Sequence, residues 1–234
     1  FETARRWGLP NLEKVKLEHV AFGTVLGEDG KPFKTRAGDA VGLEPLLDEG
    51  VARAFDVVTS ADLERGTHMS EAERLDIAEA VGLGAIKYAD LSQNRTTDYV
   101  FSFDKMLELK GNTAAYMQYA VARVDGIFSK GGIDREQVRD KAFFKCTDKR
   151  ERALAVKLLR FGEVLEDVES DYRPNLLTSW LFEVACAYSS FYDALPVLKA
   201  SGEQKSTRLT LCDLTGRSLR LGLELLGIQV PKRM

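Results

Sequence analysis

The 234-residue sequence is poor in the side chains that build metal sites and disulfide frameworks. Its three cysteines, Cys146, Cys186 and Cys212, lie far apart, and His19 and His68 are its only histidines. No two cysteines have Cys-x-x-Cys spacing, so neither a zinc site nor a disulfide-stabilised fold is predicted. We therefore expect no structural metal and a reducing, cytoplasmic setting.

Long apolar runs are also missing from the sequence. No run of 18 apolar residues occurs and no signal-peptide pattern opens the chain, so neither membrane insertion nor secretion is predicted. The hydrophobic content of 44% is nevertheless sufficient for a folded core. The first residue is Phe1 and the residues after it resemble the middle of a helix, so we expect a piece of a longer protein.

The formal net charge of -3 is small but unevenly distributed. Residues 1–104 carry 12 Lys and Arg against 19 Asp and Glu, whereas residues 105–234 carry 21 against 17. A mildly basic half is typical of a module that binds nucleic acid, although the same charge is common on ordinary domains. Charge alone therefore leaves the function open.

The chain opens with short strand-like stretches. Residues 15–20 and 21–26 are rich in Val, Leu and Phe, and they are predicted to be strands that end in a turn at 28–30. The segment 31–38 follows, with a proline near its start, a glycine at its end and three cations between. This composition predicts a basic loop.

Helical spacing begins after the basic loop and dominates the rest of the chain. It is predicted from Leu43 to Phe55, and an acidic stretch at 62–74 then leads to a further helix that continues through Ala80. Residues 86–91 are too short and mixed to assign. Residues 99–103 are predicted either as a strand or as an apolar segment that leads into the next helix.

Three further helices are predicted towards the C-terminus. Asp148 is followed three residues later by Glu151, a capping-box pattern, and an apolar stripe continues this helix over 154–168. Pro174 is tolerated in a first helical turn, and apolar spacing predicts a helix over 174–191. The last helix is predicted over about 206–226 and is closed by a glycine.

The stretch 111–128 is predicted to be the central helix of a bundle. Met117, Val121, Val124 and Phe128 recur at steps of four, three and four, so they lie on one apolar stripe. This stripe predicts a buried face.

A neighbouring face of the same helix carries different chemistry. It holds Tyr116, Tyr119 and Arg123, with Gln118 on its flank. Tyrosine rings can stack on bases and a guanidinium can bind phosphate, so this face is a candidate RNA-binding surface. The alternative is that the tyrosines cap the core with their hydroxyls at its edge, and the helix alone favours this alternative.

Three segments together resemble the class I arginyl-tRNA synthetases, and the resemblance covers the whole chain. They are LEHVAFG at 17–23 followed by GKPFKTRAG at 30–38, YADL at 88–91 followed by NTAAYMQYAVAR at 112–123, and LELLGIQVP at 223–231. The resemblance implies a mainly α chain. Residues 1–104 would hold the C-terminal end of a Rossmann-like α/β catalytic domain with a connector, and residues 105–234 an α-helical anticodon-binding bundle.

In that family a Lys-Met-Ser-Lys-Ser signature closes over ATP, and the basic loop lies in its place. Lys31, Lys34 and Thr35 match its first, fourth and fifth positions, while Pro32 and Phe33 replace Met and Ser. The resemblance implies that these three matching residues are catalytic, and that Lys31 and Lys34 bind ATP, which is used with Mg²⁺. As an isolated pattern, the segment would be an ordinary solvated basic loop.

The resemblance also implies which residues bind tRNA(Arg). They are Tyr116, Gln118, Tyr119, Arg123, Arg208, Arg233 and Met234. The Asp-Ala-Leu-Arg signature of many relatives aligns with residues 205–208, where only the arginine, Arg208, is kept.

The other class I signature, His-Ile-Gly-His, is absent from this sequence. The resemblance therefore implies part of a monomeric enzyme that joins arginine to tRNA(Arg) in an ATP-dependent reaction, and we expect the chain alone to be inactive. Two alternatives stay open. One is a non-catalytic paralogue kept for binding tRNA or other RNA, and the other is a helical interaction module.

Overall fold

The computed structural model describes residues 1–8, 14–32 and 42–232. In these ranges the chain is mainly α-helical, as predicted. The helices are α1 (Glu2–Arg6), α2 (Leu43–Arg65), α3 (Glu71–Leu91), α4 (Phe103–Met106), α5 (Ala114–Gly131), α6 (Arg135–Asp140), α7 (Lys149–Leu159), α8 (Phe161–Asp171), α9 (Pro174–Ala194) and α10 (Gly202–Leu225). Two short strands, β1 (Val25–Leu26) and β2 (Tyr99–Val100), accompany them. No helix in the described ranges has the length and apolar character needed to cross a membrane.

The two strands form a parallel pair, with Val25 opposite Tyr99 and Leu26 opposite Val100. A parallel pair requires a long crossover connection, which α2 and α3 provide. The prediction of strands over 15–26 is wrong for most of its length. Within residues 15–26 only Val25 and Leu26 pair with another strand, and a strand without a partner leaves its backbone groups unpaired.

Helices α2 and α3 pack closely against each other. At Gly82 an added Cβ would lie 2.6 Å from the carbonyl oxygen of Gly50. Any side chain at position 82 would therefore force the two helices apart. Ser70 begins α3 with a capping box, in which its hydroxyl and the Glu73 carboxylate each accept the other residue's backbone N–H.

Helix α3 continues past its predicted end at Ala80 and includes the segment 86–91, which the sequence left unassigned. Its last turns are helical because they pack into the protein. Ala85 and Tyr88 are buried, and the Tyr88 hydroxyl donates to the backbone carbonyl of Thr178 in α9, at 2.9 Å. These contacts come from a distant part of the chain, so local composition gave no sign of them.

Helix α5 is the central helix of the bundle, as predicted. Met117, Val121 and Val124 are fully buried and Phe128 is nearly so. The Thr113 hydroxyl caps the helix by accepting a backbone N–H of its first turn, at 3.2 Å. Because α5 packs against α3, α9 and α10, it connects the two helices of the crossover to the rest of the bundle.

The helix predicted over 148–168 is two helices, α7 and α8, with the break at Arg160. Trp180 of α9 accounts for the break. Its indole N–H donates to the carbonyl of Lys157 at 2.9 Å, and its ring stacks on Phe161 with the ring centroids 4.6 Å apart. The apolar spacing is the same on both sides of the break, so the pattern could not reveal it.

Candidate nucleic-acid interface

Arg123 lies between two aromatic rings on one face of α5. Its guanidinium carbon is 4.1 Å from the centroid of the Tyr192 ring and 5.8 Å from that of Tyr119. The guanidinium also donates to the carboxylate of Asp193 at 2.7 Å and to the hydroxyl of Ser189 at 3.3 Å. The Asp193 side chain is 67% exposed, so this ion pair is weak and a phosphate could replace the carboxylate.

Tyr116 supports this face from the inside of the bundle. Its ring packs edge-on against Phe182, with centroids 6.0 Å apart, and its hydroxyl lies 3.1 Å from that of Ser189. Burial raises the pKa of Tyr116, and the hydrogen bond with Ser189 offsets part of this effect. For Tyr116 the structure favours the alternative in which the tyrosine caps the core.

Tyr119 is half-buried and separates two depressions of the surface. One is an apolar cleft of about 730 Å³ between α2, α3 and α5, with Val58, Ile77 and Leu107 among its walls. The other is a groove along α5. No hydrogen bond of the Tyr119 hydroxyl is formed within the described part of the chain, so its ring is held by packing and by its contact with the Arg123 guanidinium.

The groove along α5, called the α5 groove below, combines cations with aromatic rings. Arg123, Lys130 and Lys199 supply the cations, and Tyr119 and Tyr192 supply the rings. No carboxylate occurs among the described residues that line its volume of about 1240 Å³. Cations attract phosphates and rings stack on bases, so the groove suits a single-stranded segment of RNA.

Sequence reasoning missed three residues of this groove, Lys130, Tyr192 and Lys199. Lys130 follows Arg123 by seven residues, two helical turns, so helical spacing could have found it. Tyr192 follows the buried Tyr188 by four residues and comes directly after Phe191, the last residue of the apolar stripe predicted as core. Lys199 lies between α9 and α10, where no periodic pattern exists.

Gln118 is fully buried, which contradicts the prediction that it faces tRNA. Its amide nitrogen donates to the backbone carbonyl of Ala80 at 3.1 Å and to that of Gln229 at 2.7 Å. A side chain without exposed surface cannot touch a ligand unless the fold rearranges. Periodicity placed Gln118 beside the tyrosines, but it could not show that the segment after α10 covers that position.

Arg208 is also buried, with 5% of its side chain exposed, which contradicts its predicted contact with tRNA. Its guanidinium donates to the carboxylate of Glu151 at 2.8 Å and to the carbonyl of Pro196 at 3.0 Å. Glu151 also accepts from the backbone amides of Thr147 and Asp148, so the predicted capping box is confirmed. Arg208, in α10, therefore connects the start of α7 and the loop before α10 through its hydrogen bonds.

The pKa of Glu151 reflects opposing effects. Burial raises the pKa, whereas hydrogen bonds from the Arg208 guanidinium and from two backbone amides lower it. The hydrogen bonds dominate and hold the pKa of this carboxyl below its ordinary value. The folded state consequently binds this proton less readily than the unfolded state does.

Acid should destabilise the fold through Glu151. A carboxyl whose pKa is lowered by folding stabilises the protein above its ordinary pKa, and that stabilisation is lost as the pH falls through the folded pKa. We expect the free energy of unfolding to decrease below about pH 5, more steeply in the wild type than in Glu151→Gln. Urea unfolding at a series of pH values measures both slopes. Glu166→Gln, an exposed substitution on α8, is the matched control. Equal dependence of the free energy of unfolding on pH in wild type and Glu151→Gln would contradict the assignment of this acid sensitivity to Glu151.

Lys31 is the one predicted catalytic residue that the described ranges include. It follows β1 in an exposed turn, where its amide donates to the carboxylate of Asp29 at 3.0 Å. Its ammonium lies 3.8 Å from the other oxygen of that carboxylate. Four other predicted site residues lie outside the described ranges: Lys34, Thr35, Arg233 and Met234.

The described residues show neither a cluster of metal ligands nor a disulfide. No three His, Cys, Asp or Glu side chains in these ranges are arranged to hold a metal ion. Cys146, Cys186 and Cys212 are free thiols. Burial raises the pKa of Cys212 to about 12, so this thiol is a packing residue and not a nucleophile.

Two protein families match successive parts of the chain. Residues 117–234, half of the chain, match the family described as "DALR anticodon binding domain". Residues 1–103 match the family described as "tRNA synthetases class I (R), catalytic domain".

Curated relatives match over the full length of the chain. The arginine–tRNA ligase of Synechococcus sp. (strain ATCC 27144) is 52% identical over 236 residues, and that of Psychromonas ingrahamii is 48% identical over 235 residues. Each alignment covers 100% of this chain, but only 40% and 39% of the respective relative. The chain thus spans about two fifths of the length of the curated relatives it matches.

Solved structures give the same assignment. The arginyl-tRNA synthetase of Plasmodium falciparum is similar with a TM-score of 0.78 and 28% identity, over 100% of this chain and 39% of that one. That of Thermus thermophilus has the same TM-score of 0.78 and 28% identity, over 99% of this chain and 38% of that one. The chain belongs to the arginyl-tRNA synthetase family and corresponds to the C-terminal portion of such a protein, with a DALR anticodon-binding domain preceded by part of the class I catalytic domain.

Proposed function

We propose that this chain is part of an arginine–tRNA ligase, which attaches arginine to tRNA(Arg) in an ATP-dependent reaction, and that the α5 groove binds the anticodon arm. The observation that carries the proposal is the guanidinium of Arg123, held between the rings of Tyr119 and Tyr192 in a groove lined by cations. The match of residues 117–234 to an anticodon-binding family supports the same assignment.

The α5 groove would bind RNA through two kinds of contact. Bases of a single-stranded loop would stack on Tyr119 and Tyr192, and stacking on an aromatic side chain is worth about 1–3 kcal/mol per base. The cations of Arg123, Lys130 and Lys199 would meet the phosphates, with release of counterions from the RNA. A phosphate would take the place of the Asp193 carboxylate on Arg123.

The catalytic part of the proposal rests on the family match over residues 1–103 and on the basic loop. Lys31, Lys34 and Thr35 would serve the ATP-dependent step, with Lys31 and Lys34 binding ATP and with Mg²⁺ present. The described residues do not by themselves fit a triphosphate, because Lys31 offers a single ammonium that already faces a carboxylate. Since the sequence lacks His-Ile-Gly-His, we propose that activity requires the full-length protein.

We infer that the chain divides into a catalytic segment, 1–104, and an anticodon-binding domain, 105–234. The family matches support this division, because one ends at residue 103 and the other begins at residue 117. Helix α5 would then open the anticodon-binding domain while packing directly on α3 of the catalytic segment. The two parts would therefore meet along α3.

The salt dependence of tRNA binding tests the role of Arg123. In the full-length protein, Arg123→Ala should weaken binding of tRNA(Arg) and lower the slope of log K against log salt by about one, because one phosphate contact is lost. Filter binding or fluorescence anisotropy between about 50 and 200 mM salt gives the slope.

Arg160→Ala is the matched control for this measurement. It removes the same charge, but its exposed ion pair with Glu163 lies outside the groove, so the slope should stay at the wild-type value. If Arg123→Ala and Arg160→Ala both keep the wild-type slope, the α5 groove does not carry a phosphate and the proposal fails.

A further inference from the structure

The segment after α10 lies along α3 and is called the strap below, defined by residues 227–232. The ammonium of Lys87 donates to the carbonyl of Gly227 at 2.6 Å, and the amide of Gln118 donates to the carbonyl of Gln229 at 2.7 Å. Ile228 is only 3% exposed and fits against Gly84, where an added Cβ would lie 3.1 Å from the Ile228 side chain. The strap is therefore fastened at three successive positions.

The contacts show that the strap runs in the opposite direction to α3. The Gly227 carbonyl is bound by Lys87, near the end of α3. The Gln229 carbonyl and that of Ala80, further back in α3, accept from the same amide of Gln118. Residues 230–232 line a groove with residues near the start of α3. The strap thus passes along α3 from Lys87 towards the start of the helix.

The far end of the strap lies near the cleft beside Tyr119. Val230, Pro231 and Lys232 line a groove that also includes Met69, which precedes α3, and Ile77 of α3. The same Met69 and Ile77 form part of the cleft that Tyr119 also lines. These two residues therefore lie between the strap and the tyrosine, which in turn lines the α5 groove.

The strap also changes the charge of that surface. Glu73 and Asp76 line the groove that the strap closes, and Lys232 is the cation among its described lining residues. If the strap lifted away, two carboxylates would face approaching phosphates without Lys232 beside them. RNA binding is therefore favoured when the strap is bound to α3 and opposed when the strap is detached from it.

We propose that Gln118 and Lys87 are positioning residues for tRNA binding, which hold the strap on α3 so that Lys232 extends the surface that begins at Tyr119. This inference rests on the proposed function. Gln118 itself touches no RNA. It acts through the backbone of Gln229, which explains how a buried residue can belong to the binding machinery.

The chemistry of the Gln118 site favours this role over simple packing. Both partners of its amide are carbonyl oxygens, so the NH₂ group must face them and act as a double donor. The amide oxygen is buried and has no hydrogen-bond partner within the described residues. An apolar residue at position 118 would bury no unsatisfied amide oxygen, but it would leave the carbonyl of Gln229 without this donor.

Hydrogen exchange and steady-state kinetics of the full-length protein test the proposal. Gln118→Leu and Lys87→Ala should each speed amide exchange in the strap while the core of α5, α9 and α10 keeps its protection. Each variant should raise the KM for tRNA(Arg) by about 5- to 30-fold, the factor expected for one or two lost hydrogen bonds, with kcat within about twofold of wild type. Lys87→Arg, which keeps a donor, should restore most of the affinity.

The matched controls are two exposed substitutions, Gln137→Leu on α6 and Lys149→Ala on α7. Neither should alter the rate of amide exchange in the strap or the KM for tRNA(Arg). Lys87 is exposed, so its variant keeps the test valid if Gln118→Leu fails to fold. Faster strap exchange with an unchanged KM would overturn the proposal, and so would unchanged exchange in both variants. If wild-type protein fails to bind tRNA(Arg) although its strap is protected, the proposed function fails and this inference falls with it.

Discussion

Arg208→Met should lower the free energy of unfolding by about 3 to 5 kcal/mol, the range for removing one partner of a buried ion pair. The substitution would leave the carboxylate of Glu151, which has no exposed surface, with two backbone amides and the Thr147 hydroxyl as donors but no cation. It would also leave the carbonyl of Pro196 without the guanidinium that now donates to it. Urea unfolding monitored by circular dichroism measures the effect.

The matched control is Arg160→Met, which breaks an exposed pair with Glu163 and should cost less than about 1 kcal/mol. Adding Glu151→Gln to Arg208→Met should recover part of the lost stability, because a neutral amide is easier to bury than an unpaired charge. If Arg208→Met instead kept the wild-type stability and weakened tRNA binding, Arg208 would be an RNA contact, as the family resemblance implied.

Tyr119→Ala in the full-length protein should weaken binding of tRNA(Arg) by about 5- to 150-fold, the factor that corresponds to one stacked base. Tyr119→Phe should bind nearly as tightly as wild type, because the ring stacks and the hydroxyl makes no hydrogen bond in the described part of the chain. Tyr172→Ala removes an exposed ring at the end of α8, outside the α5 groove, and is the matched control. Titration with labelled tRNA at fixed salt measures all three.

The alternative role of Tyr119 as a core residue makes a different prediction. Its ring is half-buried, so Tyr119→Ala should also lower the melting temperature somewhat. Affinity must therefore be measured for the folded fraction of the same preparation. A destabilised variant with wild-type affinity would show that this ring only packs, and would move the proposed RNA surface towards Arg123 and Tyr192.

The central helix shows what the sequence could predict. Met117, Val121, Val124 and Phe128 are buried as expected, because a run of apolar residues at helical spacing needs only a nearby partner surface. The caps at Ser70, Thr113 and Asp148 act within their own first turns; of these, the sequence identified the Asp148 box. Spacing and capping patterns therefore predicted these helical features, whereas the predictions of strands over 15–26 and of one helix over 148–168 were wrong.

The failures depended on contacts between distant parts of the chain. Gln118 was placed on the right face of α5, but a backbone carbonyl 111 positions away covers it. Arg208 was expected to contact tRNA because it keeps the arginine of the family's Asp-Ala-Leu-Arg signature, and it is buried because Glu151, 57 positions earlier, neutralises it. Spacing predicts which side chains share a face, whereas only the fold determines what lies against that face.

The strap on α3 also has a consequence for biosynthesis. A ribosome adds about 5–20 residues per second and domains fold as they emerge, so roughly 6 to 20 s separate the synthesis of Gln118 from that of the Gln229 carbonyl it binds, 111 positions later. During this interval the newly made α5 has no partner for the second donor of its buried glutamine, and the groove beside Met69 and Ile77 lacks one wall. The nascent chain would thus complete this groove only after α10 and the strap had been made.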